Sequence, residues 1–228
     1  MQGYFITGTD TGVGKTLASL ALMHALQSQG HSVAGMKPVS AGCVKTEHGL
    51  RNDDAVQLQK ASSFELSYEL TNPFAYEPPI APHIAAHQRG DQISINKIED
   101  CFNAIASQSD LVIVEGAGGW LVPINENETM ADVAIQLNLP VILVVGMRLG
   151  CLNHALLTVE NIHSKGVKFA GWIANQIDQD MLKSNENISA LETLIQAPLL
   201  GIIPWSNNIA SAYTSPHINV KLLFRSIK

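Results

Sequence analysis

The chain has few charged residues and no concentration of positive ones. Among its 228 residues are 14 lysines and arginines and 20 aspartates and glutamates, which gives a formal net charge of −6. Charged residues make up only 15% of the sequence, and no long run of lysine or arginine occurs. Proteins that bind nucleic acid usually carry such a run. We therefore expect no nucleic-acid partner, and any anion-binding site must be local.

Long apolar stretches are also missing. No apolar run approaches the roughly 18 residues that a membrane-spanning helix needs. The first residues lack the charged segment and apolar region of a secretory signal. We therefore expect a cytoplasmic protein without a membrane partner. Hydrophobic residues still make up 46% of the chain, which predicts one globular domain over residues 1–228 with a substantial core.

Cysteine is scarce, and no pair has the spacing of a zinc ligand set. Cys43, Cys101 and Cys151 are far apart in the chain, which favours free thiols in a reducing compartment over disulfides or zinc binding. His83 and His87 are four residues apart and could share a helix face. Because no third ligand is evident, we interpret them as surface or pocket-lining residues and not as metal ligands.

The most informative segment is GTDTGVGKT, from Gly8 to Thr16. It follows an apolar run, and the segment from Leu17 onward has apolar residues at helical spacing. A strand, a glycine loop and a helix in this order indicate a P-loop. Its backbone N–H groups surround a triphosphate, its lysine adds a positive charge, and its threonine can bind magnesium. The candidate nucleotide-binding residues are Gly12, Val13, Gly14, Lys15 and Thr16. The loop is one residue longer than usual.

Apolar runs alternate with helical patterns along the rest of the chain. The further predicted strands are 32–36, 111–114, 141–145, 170–174 and 199–203. Helices are predicted from 17 to 26 with Gly30 as the C-cap, after the Asn52-Asp53-Asp54 cap, from 95 to 105, and from Asn153. Residues 68–90 contain four prolines and are predicted to be irregular. The alternation predicts an α/β, P-loop NTPase-like fold with a central, mostly parallel sheet and helices on both faces.

Candidate functional residues stand at or near the ends of several predicted strands, where an open parallel sheet binds its ligand. They are Thr16, Lys37, Glu115, Asn175 and Pro204. Glu115 follows four residues of buried type, where an unpaired acid is costly. With Asp54 and Thr16 it forms a candidate magnesium site, because magnesium prefers oxygen ligands.

Alternatives remain open for these residues. Glu115 could instead cap the glycine loop that follows it, and Asp54 could be a helix cap, with Asp53 as the rival ligand. Lys37 either handles an anion near the phosphates or is an ordinary strand-end lysine. The residue pattern alone does not decide between these interpretations.

Eight motifs in order resemble the dethiobiotin synthetase family. They are GTDTGVGKT (8–16), KPVSAG (37–42), GLRNDDA (49–55), PHIAAH (82–87), VEGAGGW (114–120), PVILVVGMRLGCLNH (140–154), GWIAN (171–175) and PLLGIIPW (198–205). The resemblance extends from about Gly3 to Trp205. It implies an ATP- and magnesium-dependent ligase of biotin biosynthesis that converts 7,8-diaminopelargonate (7,8-diaminononanoate) and CO2, supplied as bicarbonate, to dethiobiotin, ADP and phosphate.

The resemblance also implies roles for individual residues. Thr16, Asp54 and Glu115 would hold magnesium, and Lys15 and Lys37 would be the catalytic lysines. Lys15 would bind the β and γ phosphates, and Lys37 would stabilise the carbamate and the transferring phosphoryl group. Asn175 would read adenine, with Pro204 and Trp205 beside it.

The substrate's carboxylate would bind N–H groups at Gly150 to Asn153. Because that end of the substrate reaches a partner subunit in this family, a homodimer is implied. Two positions depart from the family pattern. Ala41 stands where a hydroxyl residue is common, so that contact with the substrate is either lost or supplied by Ser40, one position earlier. Gly12 stands where relatives often carry glutamate.

Two rival functions share this fold. The amidating ligases of cobalamin synthesis carry an additional glutaminase domain, for which this chain has no room. Non-catalytic nucleotide switches of the partitioning ATPase type usually carry an additional lysine early in the P-loop, where this chain has Thr9 and Asp10.

Overall fold

The computed structural model describes residues 3–206 and 217–224. In chain order the strands are β1 (Gly3–Gly8), β2 (Val33–Met36), β3 (Val39–Ser40), β4 (Val44–Thr46), β5 (Gly49–Arg51), β6 (Phe74–Ala75), β7 (Leu111–Glu115), β8 (Val141–Gly146), β9 (Phe169–Asn175) and β10 (Leu199–Ile203). Six of them form a parallel sheet in the order β10-β9-β8-β1-β7-β2. The predicted α/β P-loop fold is confirmed.

The helices are α1 (Lys15–Gln27), α2 (Asp53–Ala61), α3 (Tyr68–Thr71), α4 (Pro82–Gln88), α5 (Ile95–Ala106), α6 (Met130–Gln136), α7 (Cys151–Ser164), α8 (Ser184–Leu194) and α9 (Lys221–Phe224). Within the described residues, no helix is both long and apolar enough to cross a lipid bilayer. The three cysteines are free thiols.

Helices cover both faces of the sheet, because side chains alternate between the faces along each strand. On β1, Phe5 packs on one side with residues of α5 and α6, and Ile6 packs on the other side with residues of α1. On β8, Leu143 contacts a third cluster built from α7 and α8. Each central strand is therefore apolar along almost its whole length, as the uninterrupted apolar runs predicted.

The order of the strands determines where a ligand can bind. Strands β2 and β7 lie on one side of β1 in the sheet. The later strands β8, β9 and β10 lie on the other side. A crevice forms at the carboxyl ends where the strand order changes direction in this way. The loops after β1, β7 and β8 therefore lie next to one another at this edge.

Several local expectations were wrong. The polar loop before α2 contains a hairpin of β4 and β5, and residues 68–90 contain α3, β6 and α4. Four prolines had predicted irregular structure, but Pro82 stands in the first turn of α4, where a missing N–H costs nothing. Helix α7 begins at Cys151, two residues before Asn153, and α1 is capped at Ser28, two residues before Gly30. Helices α6 and α8 were not predicted.

Candidate functional site

The P-loop connects β1 to α1 and ends at Gly14, a position where any other residue would be strained. Gly14 is the N-cap of α1 and has φ +83°. A Cβ atom built on Gly14 would lie 2.0 Å from Asn175 Nδ2 at the end of β9. The Asn175 amide donates a hydrogen bond of 2.9 Å to the Val13 carbonyl. The glycine thus lets β9 approach and hold the loop at the start of the helix.

Lys15 lies at the first position of α1 and is almost fully buried, with 7% of its surface exposed. Its ammonium group donates a hydrogen bond of 2.9 Å to the Asp10 carbonyl, across the loop. Burial, and then repulsion from Lys37, lower the pKa of Lys15 to about 8, although three nearby carboxylates oppose the shift. A bound anion stabilises the charged form of such a buried lysine, so Lys15 is suited to bind a phosphate group.

A second lysine, Lys37, lies between two carboxylates. Its Nζ atom is 2.5 Å from Glu115 Oε1 and 3.2 Å from Asp54 Oδ2. The Thr16 hydroxyl donates to the same Glu115 oxygen over 3.0 Å. Four elements, namely α1, the segment after β2, α2 and β7, thus bring these side chains to one point. Asp53, the rival candidate, is exposed on the first turn of α2.

The backbone of Lys37 is fixed by residues that the sequence analysis did not identify. Its N–H donates to the Thr71 carbonyl over 2.8 Å, and its carbonyl accepts from Asn72 Nδ2 over 2.6 Å. The Asn72 amide oxygen accepts from Tyr68 and Ser40. The signal in the sequence was the Ser67 cap followed by Asn72 and Pro73, which marks a short helix and its end.

The electrostatics of this cluster keep Lys37 and Asp54 charged. Burial alone would lower the pKa of Lys37, but Glu115 and Asp54 outweigh burial and raise it. Burial alone would raise the pKa of Asp54, but Lys37 and the Thr16 hydroxyl outweigh burial and lower it. Lys37 is therefore an ammonium at neutral pH, which suits it to stabilise negative charge and not to accept a proton.

The cluster also has an unused oxygen. Glu115 is 0% exposed, and its Oε2 atom is buried with no hydrogen-bond partner among the described residues. A buried unpaired carboxylate oxygen is costly and calls for a cation. Within residues 3–206 and 217–224, no group of three or more His, Cys, Asp or Glu side chains could hold a metal. Two carboxylates and a hydroxyl nevertheless fit magnesium, which keeps several waters and binds phosphate oxygens as well.

An ion pair connects the P-loop to the loop after β8. Arg148 Nη2 donates to Asp10 Oδ2 over 2.5 Å. Neither residue was assigned a role from the sequence, because the pair is 138 residues apart in the chain and becomes visible only when β1 and β8 are neighbours. Arg148 lies two residues before Gly150, which is the N-cap of α7 and has φ +94°.

Other predicted site residues are not brought to the Lys37 cluster. Pro204 and Trp205 follow β10 and are exposed, and the chain from 207 to 216, where the rest of a base pocket was expected, lies outside the described residues. Ser40 is 1% exposed, and its hydroxyl donates to Asn72 over 2.7 Å. Ser40 therefore supports the fold in this arrangement and does not face an open site.

The histidine pair lies elsewhere. His83 and His87 are on α4 and line a cavity of about 540 Å³ together with Asp91, Asn125 and Glu126. No residue of the P-loop or of the Lys37 cluster lines this cavity. The interpretation of these histidines as pocket-lining residues is confirmed.

The fold and this site define a P-loop nucleotide-binding protein of the α/β class. A family model described as an AAA domain matches residues 2–212. Similarity to curated proteins is much more specific, and on this basis the chain belongs to the ATP-dependent dethiobiotin synthetase family, a family of ligases.

Three relatives illustrate the similarity. The chain is 48% identical to ATP-dependent dethiobiotin synthetase BioD of Cellvibrio japonicus, over 96% of each chain. It is 50% identical to BioD of Aromatoleum aromaticum, over 89% of this chain and 90% of the relative. It is 47% identical to BioD 1 of Escherichia coli K12, over 96% of this chain and 98% of the relative.

Solved structures share the fold at low sequence identity. The MinC:MinD cell division complex of Aquifex aeolicus matches 97% of this chain and 88% of its own chain, with a TM-score of 0.57 and 19% identity. MinD of Pyrococcus horikoshii complexed with Mg-ADP matches with a TM-score of 0.54 and 16% identity, over 97% of this chain and 89% of its own. At these identities the likeness supports the fold only.

Proposed function

We propose that this protein joins CO2 to 7,8-diaminopelargonate and closes the ureido ring of dethiobiotin at the expense of ATP. The observation that carries the proposal is the buried ammonium of Lys37, which lies beside the P-loop and contacts Glu115 and Asp54. The P-loop already supplies Lys15 for the phosphates of the nucleotide, so nucleotide binding alone does not account for Lys37. A second lysine with a raised pKa suits an enzyme that must neutralise a further anion during phosphoryl transfer.

The reaction needs three bond-forming steps. One substrate amine attacks CO2 and loses a proton, which gives a carbamate. A carbamate oxygen attacks the γ-phosphorus of ATP, and ADP leaves. The second amine then attacks the carbamate carbon, loses a proton and expels phosphate, which closes the ring. Negative charge gathers on the carbamate and the transferring phosphoryl group, so positioning and charge neutralisation are the main tasks of the protein.

The lysines divide this work. Lys15 binds the β and γ phosphates from the start of α1, and the N–H groups of the P-loop surround them. Lys37 stabilises the carbamate and the phosphoryl group, because its raised pKa keeps it an ammonium. Thr16, Asp54 and Glu115 would hold magnesium, which supplies charge neutralisation at the phosphates.

The other contacts of the substrates follow from the fold and the family. N–H groups at Gly150 to Asn153 open α7 and bind the substrate carboxylate. Asn175 is the last residue of β9, Pro204 and Trp205 follow β10, and these three residues form the adenine side of the proposed site. We further propose a homodimer in which a second copy completes the carboxylate end, and sedimentation of the purified protein tests this state.

We also propose that residues 1–228 act as one catalytic domain. Strands β1 and β10 come from opposite ends of the chain and lie in one sheet. A cytoplasmic location fits the three free thiols.

The decisive experiment is a reconstitution. The protein is incubated with ATP, magnesium chloride, bicarbonate and 7,8-diaminopelargonate, and the products are analysed by mass spectrometry. We expect the mass of the cyclic urea, with label from ¹³C-bicarbonate at the ureido carbon. Phosphate release should require both the diamine and bicarbonate. Release that is independent of both would favour a nucleotide switch, and release without a cyclic product would reject the proposal.

The rival functions have less support. The MinD structures resemble this chain only at the level of the fold, whereas the dethiobiotin synthetases share almost half of its residues. Thr9 and Asp10 stand where a partitioning ATPase usually has its additional lysine. An amidating ligase would need a second domain, and the relatives match this chain over nearly their whole length.

A further inference from the structure

We propose that Arg148 is a positioning residue that holds the tip of the P-loop in its phosphate-binding shape through Asp10. This inference rests on the proposed nucleotide site. The relevant feature is the exposure of the loop's tip, which contrasts with Val13 on its far side, a buried residue whose carbonyl accepts a hydrogen bond from Asn175. Thr11 and Gly12 are exposed, and a Cβ built on Gly12 meets no atom within 4 Å. No core packing therefore fixes the tip of this loop.

Asp10 supplies the missing restraint through three separate groups. Its Oδ1 accepts from the Thr11 N–H over 2.7 Å, and its Oδ2 accepts from Arg148 over 2.5 Å. Its backbone carbonyl accepts from Lys15 Nζ over 2.9 Å. The Asp10 side chain and backbone thus connect the turn of the loop to the lysine that we expect to bind phosphate. Arg148 fixes this arrangement from outside the loop.

The pair is poorly placed to stabilise the fold. The side chains of Arg148 and Asp10 are 40% and 46% exposed, and ion pairs with this exposure contribute little to stability. Its effect is therefore expected in ligand binding, because an anion cradle that is already ordered binds more tightly than one that must be ordered by the ligand.

Arg148 also lies close to the proposed binding site for the substrate carboxylate. It lies in the loop between β8 and α7, two residues before Gly150, where the proposed carboxylate-binding N–H groups begin. The ion pair therefore joins the segment that faces the phosphates to the segment that faces the far end of the substrate.

A double-mutant cycle tests the inference. Binding of ADP with magnesium chloride is measured by calorimetry for the wild type, Arg148→Ala, Asp10→Asn and the double variant. We expect each single variant to weaken binding by about 5- to 10-fold. The double variant should be no weaker than either single variant within about twofold, because both remove the same restraint. Arg148→Lys should recover much of the affinity.

Kinetics and a matched control separate positioning from a general effect on the structure. In Arg148→Ala the KM for ATP should rise by about the same factor while kcat falls by less than about threefold. Lys165→Ala removes a partly exposed pair with Asp132 at the other end of α7 and should change neither value. Thermal midpoints of these variants should agree within about 2 °C.

The outcomes that overturn the inference are distinct from failure of the proposed function. Unchanged nucleotide affinity in Arg148→Ala would reject it. Losses that multiply in the double variant would also reject it, because Arg148 would then contact the nucleotide directly. A wild-type protein that binds no nucleotide would instead reject the proposed nucleotide site.

Discussion

Lys37 and Glu115 form an ion pair of 2.5 Å whose acid is fully buried. The same ammonium contacts Asp54 over 3.2 Å. Without ligands, Lys37 is therefore the cation that balances the two carboxylates proposed to hold magnesium. One lysine serves two roles, because it must neutralise this acid pair in the empty protein and a carbamate or phosphoryl group during the proposed reaction.

This relationship predicts an unusual response to magnesium. Lys37→Met leaves Glu115 and Asp54 unpaired, and loss of one partner of a buried ion pair costs about 3 kcal/mol in the free energy of unfolding. Magnesium should restore part of this loss, because a divalent ion neutralises the same oxygens. Denaturant unfolding with EDTA and with magnesium chloride measures both effects.

The control for this experiment is an exposed lysine. Lys45→Met changes a residue of the β4–β5 hairpin that is open to solvent, so its stability should match the wild type in both conditions. If magnesium stabilises Lys37→Met no more than the wild type, the acid pair is not a magnesium site.

A second prediction concerns turnover. Lys37→Ala should lower kcat by about 100-fold or more, since preorganised charge at a developing anion contributes several kcal/mol to the barrier. Nucleotide affinity should change by less than about threefold, because Lys15 and the P-loop still bind the phosphates. Steady-state kinetics and calorimetry with ADP and magnesium chloride measure the two quantities. An active Lys37→Ala protein would remove this residue from the proposed mechanism.

A third prediction concerns the pH dependence of nucleotide binding. The pKa of Lys15 in the empty protein is lowered to about 8. The bound phosphates favour the ammonium form, so their arrival raises this pKa. Binding then takes up a proton above pH 8, and affinity should fall as the pH rises through this value.

Calorimetry in buffers of different ionisation enthalpy measures this proton uptake directly. At pH 7 Lys15 is already charged, and it should contribute almost no uptake. Lys15→Met should bind nucleotide far more weakly, and the additional loss of affinity above pH 8 should be absent. A wild-type affinity that stays constant from pH 7 to pH 9 would contradict the role of Lys15.

Much of the fold was predictable because its signals are local. The apolar runs of β1, β7 and β8 are continuous, and strands covered on both faces require this pattern. The P-loop was predictable because Gly8 to Thr16 are consecutive. The hairpin of β4 and β5 was missed because its residues are mostly exposed and have no apolar alternation to mark a strand.

The support of the site was much harder to predict. Asn72 holds the Lys37 backbone, and Arg148 contacts Asp10, but each pair is far apart in the chain. Such contacts depend on the order of the strands in the sheet. Local sequence patterns do not reveal this order. The choice of Asp54 over Asp53 likewise depends on the turn of α2 relative to Lys37. Ser40 was a candidate for substrate contact, and only the structure places its hydroxyl on Asn72.

The two glycines of the P-loop give a matched pair of tests for the loop geometry. Both have positive φ, +83° at Gly14 and +74° at Gly12, so alanine at either position costs about 1 kcal/mol or more in backbone strain. Only at Gly14 would the new methyl group also collide, since it would lie 2.0 Å from Asn175 Nδ2. The bond of that amide to Val13 must then break, and the loop must leave its position over β9.

Gly14→Ala should therefore abolish measurable binding of ADP with magnesium chloride, whereas Gly12→Ala should weaken binding by about 10-fold or less. Calorimetry compares the two variants, and circular dichroism checks that both remain folded. Asn175→Ala in the Gly14→Ala background removes the colliding group. Binding of inorganic triphosphate with magnesium chloride, which needs no contact with adenine, should then recover in part if the collision is the cause. Equal affinities for the two single variants would show that Gly14 does not hold the loop against β9.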